Sequence, residues 1–353
     1  MKIIITGAGD VGYHLAKMLS SEMQDIYLID ENEVRLNYVQ SHIDIYPVHG
    51  DAKSFDVLQE AKVAQCDLLI AVTSSEETNL LVSILAKKYG AKKTIARVSN
   101  IENISEERMV MFQDLGIDTL ISPDTLAAKE ISRLVQKSAF TDNIQFENGK
   151  LTVFGISIGD KSLLRDKTVG ESSYLNPNLS FKPIALHRKE STIIVNRDTM
   201  ILEHDIVYFI STEDSIDKIT EFCDKKCFEI KNIMILGGNE VGMHTAKKLS
   251  LKFNVKLIEA DKERCFELAD ELRGTLVIHG NGSDVELLEE EGIDQMDAFI
   301  AVTENSETNI ISCLVAKNHK VQKTIALVEN MDYIHLSQNI GVDTMINKKL
   351  IAA

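Results

Sequence analysis

Short runs of apolar residues alternate along this chain with polar stretches in which apolar positions recur every three or four residues. The runs predict strands buried on both faces, and the spaced pattern predicts helices packed on them. Residues 2–6 and 26–30 read as strands around a helix over 13–20, and the second strand ends in a carboxylate. A helix over 31–40 carries Val34, Leu36 and Val39, and a strand follows over 43–48. The helix over 54–62 has Ser54 as its N-cap and places Phe55, Leu58 and Ala61 on one face. Strands over 67–72, 93–98 and 118–122, with helices over 78–89 and 105–115, complete six strands alternating with helices. That order predicts a doubly wound parallel sheet with ligands at the carboxyl ends of the strands. A further helix over 124–136 sets Leu126, Ala127, Ile131, Leu134 and Val135 on one face. Two readings of it stay open: packing on its own sheet, or an interface or arm reaching a neighbour.

Between 138 and 226 the pattern changes. Residues 151–158 alternate as a half-exposed strand does, further strands are expected over 181–187, 192–195 and 205–210, and a helix over 215–222 closes the stretch. From 231 the first pattern returns, displaced by 230 positions. Residues 3–20 fall on 233–250, His49-Gly50-Asp51 on His279-Gly280-Asn281, residues 70–73 on 300–303, and Thr78-Asn79 on Thr308-Asn309. Gly116 to Thr119 recurs as Gly341 to Thr344 after a small deletion. The expected architecture is α/β: two Rossmann-like doubly wound parallel-sheet domains, over 1–137 and 231–353, flanking a small α+β domain over 138–226.

The first repeat carries Gly7-Ala8-Gly9-Asp10-Val11-Gly12 between strand and helix, and Asp30 at the end of the next strand. Gly7 allows the tight turn, Gly9 lets backbone approach a pyrophosphate, and Gly12 lets helix and strand pack closely. The phosphates would face a helix N-terminus, and Asp30 a ribose hydroxyl. Asp10, Asp30 and Glu31 surround the turn and no lysine lies in it, so a triphosphate lacks its cation. NAD or NADH is therefore expected ahead of ATP or ADP, and all of these ahead of NADP(H), whose 2′-phosphate Asp30 would repel.

A net charge of −16 argues against nucleic acid. The five cysteines are scattered and odd in number, which suggests a reducing compartment without a disulfide framework. Cys223 and Cys227, with three residues between them, read as a linker pair rather than a metal pair. No apolar run reaches the ~20 residues of a membrane span, and Met1 leads directly into the first strand, so a cytoplasmic protein is expected.

The rival reading is an NAD-dependent oxidoreductase with duplicated cofactor domains, which needs a general acid or base. His14 and His244, at matched places on the first helices, suit capping or packing. His49 and His279 could approach a ligand, but no orienting partner is in view, and His187 and His204 show no carboxylate partner. Glu76-Glu77 and Glu289 to Glu291 read as solvated helix starts.

The two glycine turns, with Arg165 to Gly170 and Asn196 to Thr199 between them, resemble the Trk-system potassium uptake regulators, whose RCK or KTN domains alternate as N-domain, C-domain, N-domain. The resemblance covers essentially the whole chain. It implies a fourth unit, a second C-domain, so the sequence is expected to be incomplete at its C-terminal end. It also implies homo-oligomeric rings on the cytoplasmic face of a membrane potassium transporter or channel subunit, gated by nucleotide and without enzymatic activity. NAD(H) binding would alter the hinge between each nucleotide domain and its neighbour, and the small domain would take its own effector, such as a cyclic dinucleotide or cation.

Carried over residue by residue, the first nucleotide site would be Gly7, Ala8, Gly9, Asp10, Val11 and Gly12 for the pyrophosphate and Asp30 for the ribose. Asp51 and Ala52 would lie beside the adenine, with Thr73, Ser74 and Arg97 at the strand ends. The second site would use Gly237, Gly238, Asn239, Glu240, Val241, Gly242, Glu259, Asn281, Gly282, Thr303 and Glu304. Two departures weaken it. Asn239 stands for the middle glycine, where its tolerance of left-handed backbone would limit the harm, and Leu327 stands for Arg97.

Overall fold

The computed structural model describes residues 1–99, 106–136, 142–146, 150–175, 181–188, 191–212, 215–224, 229–329 and 341–352. They divide into two units, 1–127 with 347–353, and 128–346. Cys227 and the start of the helix expected from 105 lie outside the described residues.

In the first unit Lys2–Thr6 (β1) lies at the centre of a six-stranded sheet because Ile3, Ile4 and Ile5 are apolar on both faces and at most 2% exposed. Each such burial stabilises by roughly 1.5–3 kcal/mol. Around it run Asp25–Asp30 (β2), Tyr46–His49 (β3), Leu68–Ala71 (β4), Lys93–Arg97 (β5) and Thr119–Ile121 (β6). The order is β3-β2-β1-β4-β5-β6, all parallel. The chain therefore leaves β1 towards one edge and returns through β4 on its other side, which opens a crevice at the carboxyl ends of β1 and β4. Asp10–Ser21 (α1), Glu33–His42 (α2), Phe55–Glu60 (α3), Glu76–Tyr89 (α4), Glu106–Leu115 (α5) and Pro123–Gln136 (α6) are its helices, α6 running on into the second unit. On α6, Ala127, Ile131, Leu134 and Val135 are buried and Leu126 is half-buried.

Several local expectations need correction. α1 begins at Asp10 rather than Tyr13, directly after the turn. α4 begins at Glu76, because the Ser75 hydroxyl accepts the Thr78 N–H at 3.1 Å and caps it two residues earlier than its apolar spacing suggests. Ser54 holds the N-cap position of α3 without a side-chain hydrogen bond. Phe55 does not share the buried face of Leu58 and Ala61; it is 52% exposed and lies against Tyr89. Val34 is 79% exposed while Leu36 and Val39 are buried.

The second unit holds an antiparallel sheet built from Asp142–Phe146 (β7), Leu151–Ser157 (β8), Phe181–Arg188 (β10), Ser191–Ile194 (β11) and Ile206–Ser211 (β13), in the order β11-β10-β13-β8-β7. Lys167–Thr168 (β9) and Met200–Ile201 (β12) form a separate ladder. The short helix Val169–Ser172 (α7) starts on a capping box between Thr168 and Glu171, and Ile216–Phe222 (α8) packs on the sheet's core.

The same unit carries a second parallel sheet. Its strands are Asn232–Leu236 (β14), Asn254–Glu259 (β15), Thr275–His279 (β16), Ala298–Ala301 (β17), Lys323–Leu327 (β18) and Thr344–Ile346 (β19). Their order, β16-β15-β14-β17-β18-β19, repeats that of the first. Its helices are Glu240–Leu249 (α9), Lys262–Glu271 (α10), Val285–Glu290 (α11) and Ser306–Asn318 (α12). Glu289 to Glu291 close α11 instead of starting a helix: Glu289 pairs with His319 and Glu291 with Lys256. The last helix, Lys348–Ala352 (α13), belongs to the first unit, where Lys348 pairs with Asp124 at 3.2 Å. No helix among the described residues is long and apolar enough to cross a membrane.

Both parallel sheets use the same carboxylate clasps. Asp67 accepts the Lys2 N–H and a Lys92 ammonium hydrogen bond, and Asp297 accepts the Lys231 and Asn232 N–H groups. Asp118 accepts from Lys87 and the Thr94 N–H, and Asp343 accepts from Thr324 and pairs with Lys317. The Lys92 ammonium holds the Asp67 carboxyl below its ordinary value. Burial pushes Asp118 up, but Lys87 and Thr94 together outweigh it and hold that carboxyl down.

Because the folded-state values lie below the unfolded value of about 3.9, this stabilisation is complete above that pH. It is lost as pH falls through the folded values. Urea midpoints of the wild-type chain should therefore drop below about pH 4, and Asp118→Asn should remove part of that drop. Identical acid slopes in the two proteins would refute the role of Asp118.

Candidate nucleotide sites

The crevice of the first sheet is a cavity of about 1400 Å³. Gly7 turns the chain with φ +101° and its N–H donates to Ile29 O at 2.8 Å; a Cβ there would lie 3.0 Å from Thr73 backbone. Gly9 precedes α1 and offers no side chain to cap it, so the first turn of the helix meets the cavity through backbone. Asp30 sits opposite, accepting the Ala8 N–H at 2.6 Å through one oxygen and the Asn32 N–H at 2.8 Å through the other. The acid at the end of β2 thus ties down the glycine turn while facing the ligand space.

Of the residues expected in the first site, Gly7, Ala8, Gly9, Asp10, Val11, Asp30, Asp51, Ala52, Thr73, Ser74 and Arg97 all line this cavity. Gly12 does not; it lies beneath the turn, where a Cβ would come 1.8 Å from Gly7 O. Thr73 is positioned by Asn79, which accepts from its N–H and hydroxyl and donates to Thr73 O and Arg97 O. Asn79, joined to Thr73, is therefore the bolt between β4, α4 and β5, and Asn309 with Thr303 repeats it in the second copy.

Sequence reasoning missed Tyr13, Arg35, Tyr38 and Lys53, which also line the cavity. Tyr13 and Tyr38 approach ring to ring at 5.8 Å across α1 and α2, and Tyr38 lies 4.4 Å from the His42 ring. Their signal was a difference between repeats, since Met243 and Leu268 occupy those places in the second copy.

The second cavity is smaller, about 560 Å³. Gly237, Gly238, Asn239, Glu259, Asn281, Gly282, Thr303 and Glu304 line it, whereas Glu240, Val241 and Gly242 do not. Glu259 accepts the Gly238 N–H at 2.6 Å, as Asp30 does that of Ala8. Asn239 needs no left-handed backbone: at φ −67° its side chain folds back to accept the Gly242 N–H and to donate to Val302 O. That cap uses a first-turn amide that the first copy's glycine leaves uncapped by a side chain. Leu327 is buried and brings no cation.

Arg264, unforeseen in the sequence, crosses this cavity. Its Nε donates to Gly238 O at 3.1 Å and its other nitrogens to Glu240 at 3.2 Å and Glu267 at 2.8 Å.

His319, held by Asp294 at 2.7 Å, lines neither cavity. His49 and His279 each bond a backbone carbonyl, of Glu31 and Ala260, and His187 meets the Thr192 hydroxyl. His244 is buried 3.5 Å from Glu240, and His204 is exposed beside Glu203. Cys66, Cys223, Cys265 and Cys313 are buried and unbonded to one another, and burial raises the Cys66 thiol to about 11. Among the described residues no three His, Cys, Asp or Glu side chains group as a metal site would require.

Fold and cavities define a protein with two dinucleotide-type parallel sheets, each with a crevice at its strand switch point. The TrkA-N domain model matches residues 3–123 and 233–348. The chain is 33% identical over 352 residues to the "Trk system potassium uptake protein TrkA homolog" of Archaeoglobus fulgidus, covering 99% of this chain and 79% of that protein. It is 33% identical over 349 residues to the "Trk system potassium uptake protein TrkA" of Vibrio alginolyticus, covering 98% of this chain and 76% of that protein. The chain belongs to the TrkA family. Among solved structures it is similar to the GsuK RCK domain, with TM-score 0.71, 18% identity, and 99% and 74% of the two chains covered. The GsuK channel bound to NAD matches with TM-score 0.71 at 18% identity, covering 99% of this chain and 62% of that one.

Proposed function

We propose that this chain is a nucleotide-sensing regulatory subunit of a Trk-type potassium uptake system, in which NAD or NADH bound in the first cavity gates a membrane transporter. One observation carries the reading: Asp30, the uncapped start of α1 and the Gly7–Gly9 turn converge on one cavity, while no histidine lining it is arranged as a general acid or base. The family membership and the likeness to RCK folds support a regulator that binds nucleotide without turning it over. On this reading 1–137 and 231–353 are N-domains, 138–226 is the C-domain, and copies assemble as a ring on the inner face of the cell membrane. A ligand shifts such a ring only by its differential affinity for two arrangements.

The test is Asp30→Ala. Loss of one charged hydrogen-bond partner, worth about 1.5–3 kcal/mol, should weaken NADH binding by calorimetry about tenfold or more, with the circular dichroism spectrum unchanged. Wild-type affinity in the folded variant would remove Asp30 from the site.

A further inference from the structure

The two cavities share a backbone and differ in what fills them. Ala8 and Ala52 of the first copy are Gly238 and Gly282 in the second. The vacated space is taken by protein: a Cβ at Gly238 would meet Leu268 at 2.4 Å, and one at Gly282 would meet Leu236 at 1.8 Å. Leu236 and Leu268 stand where the first copy has Thr6 and Tyr38. The second cavity measures about 560 Å³ against about 1400 Å³ for the first.

Charge differs as well. Arg35, Lys53 and Arg97 line the first cavity, and their counterparts are Cys265, Ser283 and Leu327. Among the described residues, Arg264 is the one basic side chain lining the second cavity, and its counterpart is the exposed Val34. Its guanidinium lies over the glycine turn, held at 3.1 Å by Gly238 O and at 3.2 Å by Glu240.

We propose that Arg264 makes the second cavity a nucleoside diphosphate site that excludes dinucleotides, a terminal phosphate replacing Glu240 as the partner of the guanidinium. The inference rests on the first cavity being the dinucleotide site. The exchange favours the ligand. Glu240 is 46% exposed, so its bond to Arg264 is a surface ion pair of small net worth, whereas a phosphate can engage an arginine through two parallel hydrogen bonds. The smaller volume suits a mononucleotide within the usual range for small-molecule sites. Glu259, held against the Gly238 N–H, remains placed for a ribose hydroxyl. A dinucleotide would find here less than half of the first cavity's volume.

The experiment is calorimetric titration of the whole chain with NADH, followed by ADP into the NADH-saturated protein, for wild type, Arg264→Gln and Glu240→Gln. The expected result is one NADH and one further ADP per chain. Arg264→Gln should weaken that ADP about tenfold or more, since a charged partner is lost, and leave NADH unchanged. Glu240→Gln, which removes one carboxylate partner of the guanidinium while Gly238 O and Glu267 still hold it in place, should tighten ADP several-fold. Two NADH per chain, no ADP binding beyond NADH, or an Arg264→Gln protein that binds ADP as well as or better than wild type would overturn the proposal. Should NADH not bind at all, the dinucleotide reading of the first cavity fails. ADP titration of the same three proteins then still decides the role of Arg264.

Discussion

Gly12→Ala is expected to abolish nucleotide binding in the first cavity and to destabilise the first parallel sheet by on the order of 3 kcal/mol. The added methyl would sit 1.8 Å from Gly7 O, with Ile5 next behind it. No rotamer relieves a clash between a Cβ and a backbone carbonyl, so either α1 must lift from β1 or the turn must move. Both outcomes carry the Gly7–Gly9 backbone away from the position in which Asp30 holds it.

Gly9→Ala is the matched control. A Cβ there meets nothing within 4 Å and φ is −71°, so the fold should lose only about 1 kcal/mol while the methyl enters the ligand space. Thermal melts and NADH titrations of both variants check this. Wild-type binding by a folded Gly12→Ala protein would mean that the turn does not set the phosphate position.

The second large effect lies in the antiparallel sheet. Arg188, at the end of β10, donates through two nitrogens to both oxygens of Asp205, at 2.7 and 2.6 Å, and also to Met200 O. Asp205 is 1% exposed and accepts the Leu202 N–H, so the pair ties β10, the loop before β13 and the β12 ladder together. The bond to Asp205 raises the guanidinium's already high pKa further.

Arg188→Ala would strand a buried carboxylate and is expected to cost about 3–5 kcal/mol. Replacing both partners by apolar residues, Arg188→Met with Asp205→Leu, should recover much of that loss, since a well-packed apolar pair avoids the desolvation of both charges. Denaturant titrations followed by a probe in this sheet read the difference. A single variant as stable as wild type would show that the pair contributes no stability.

The parallel sheets and the first cavity were legible because their signals are local. Continuous apolar runs such as Ile3 to Ile5 can only be strands buried on both faces, and the glycine spacing fixes a turn whose ligand space lies at the strand ends. The paired Gly-Ile-Asp-Thr and Gly-Val-Asp-Thr segments marked clasps whose purpose only contacts reveal: Asp118 and Asp343 bind Thr94 and Thr324 on the neighbouring strand, 24 and 19 residues back along the chain.

Side chains that reach a cavity from a neighbouring helix were not legible. Arg264 follows Asp261, the N-cap of α10, and nothing in its helical spacing says that it crosses to Gly238. Tyr13 and Tyr38 meet across two helices in the same way. The cap that Asn239 places on α9 was not legible either, because its residue type suggests left-handed backbone, which its φ of −67° does not use. The ladder of β9 and β12 was too short, at two residues each, to leave a pattern.

The central claim is that the first cavity binds a nicotinamide dinucleotide and does not consume it. The most direct measurement is titration of the chain with NADH, with heat recorded on mixing and nicotinamide fluorescence followed afterwards. The predicted result is saturable binding that Asp30→Ala weakens, with the fluorescence of bound NADH steady over hours. Absence of binding, or steady loss of that fluorescence in the presence of a hydride acceptor, would contradict the account.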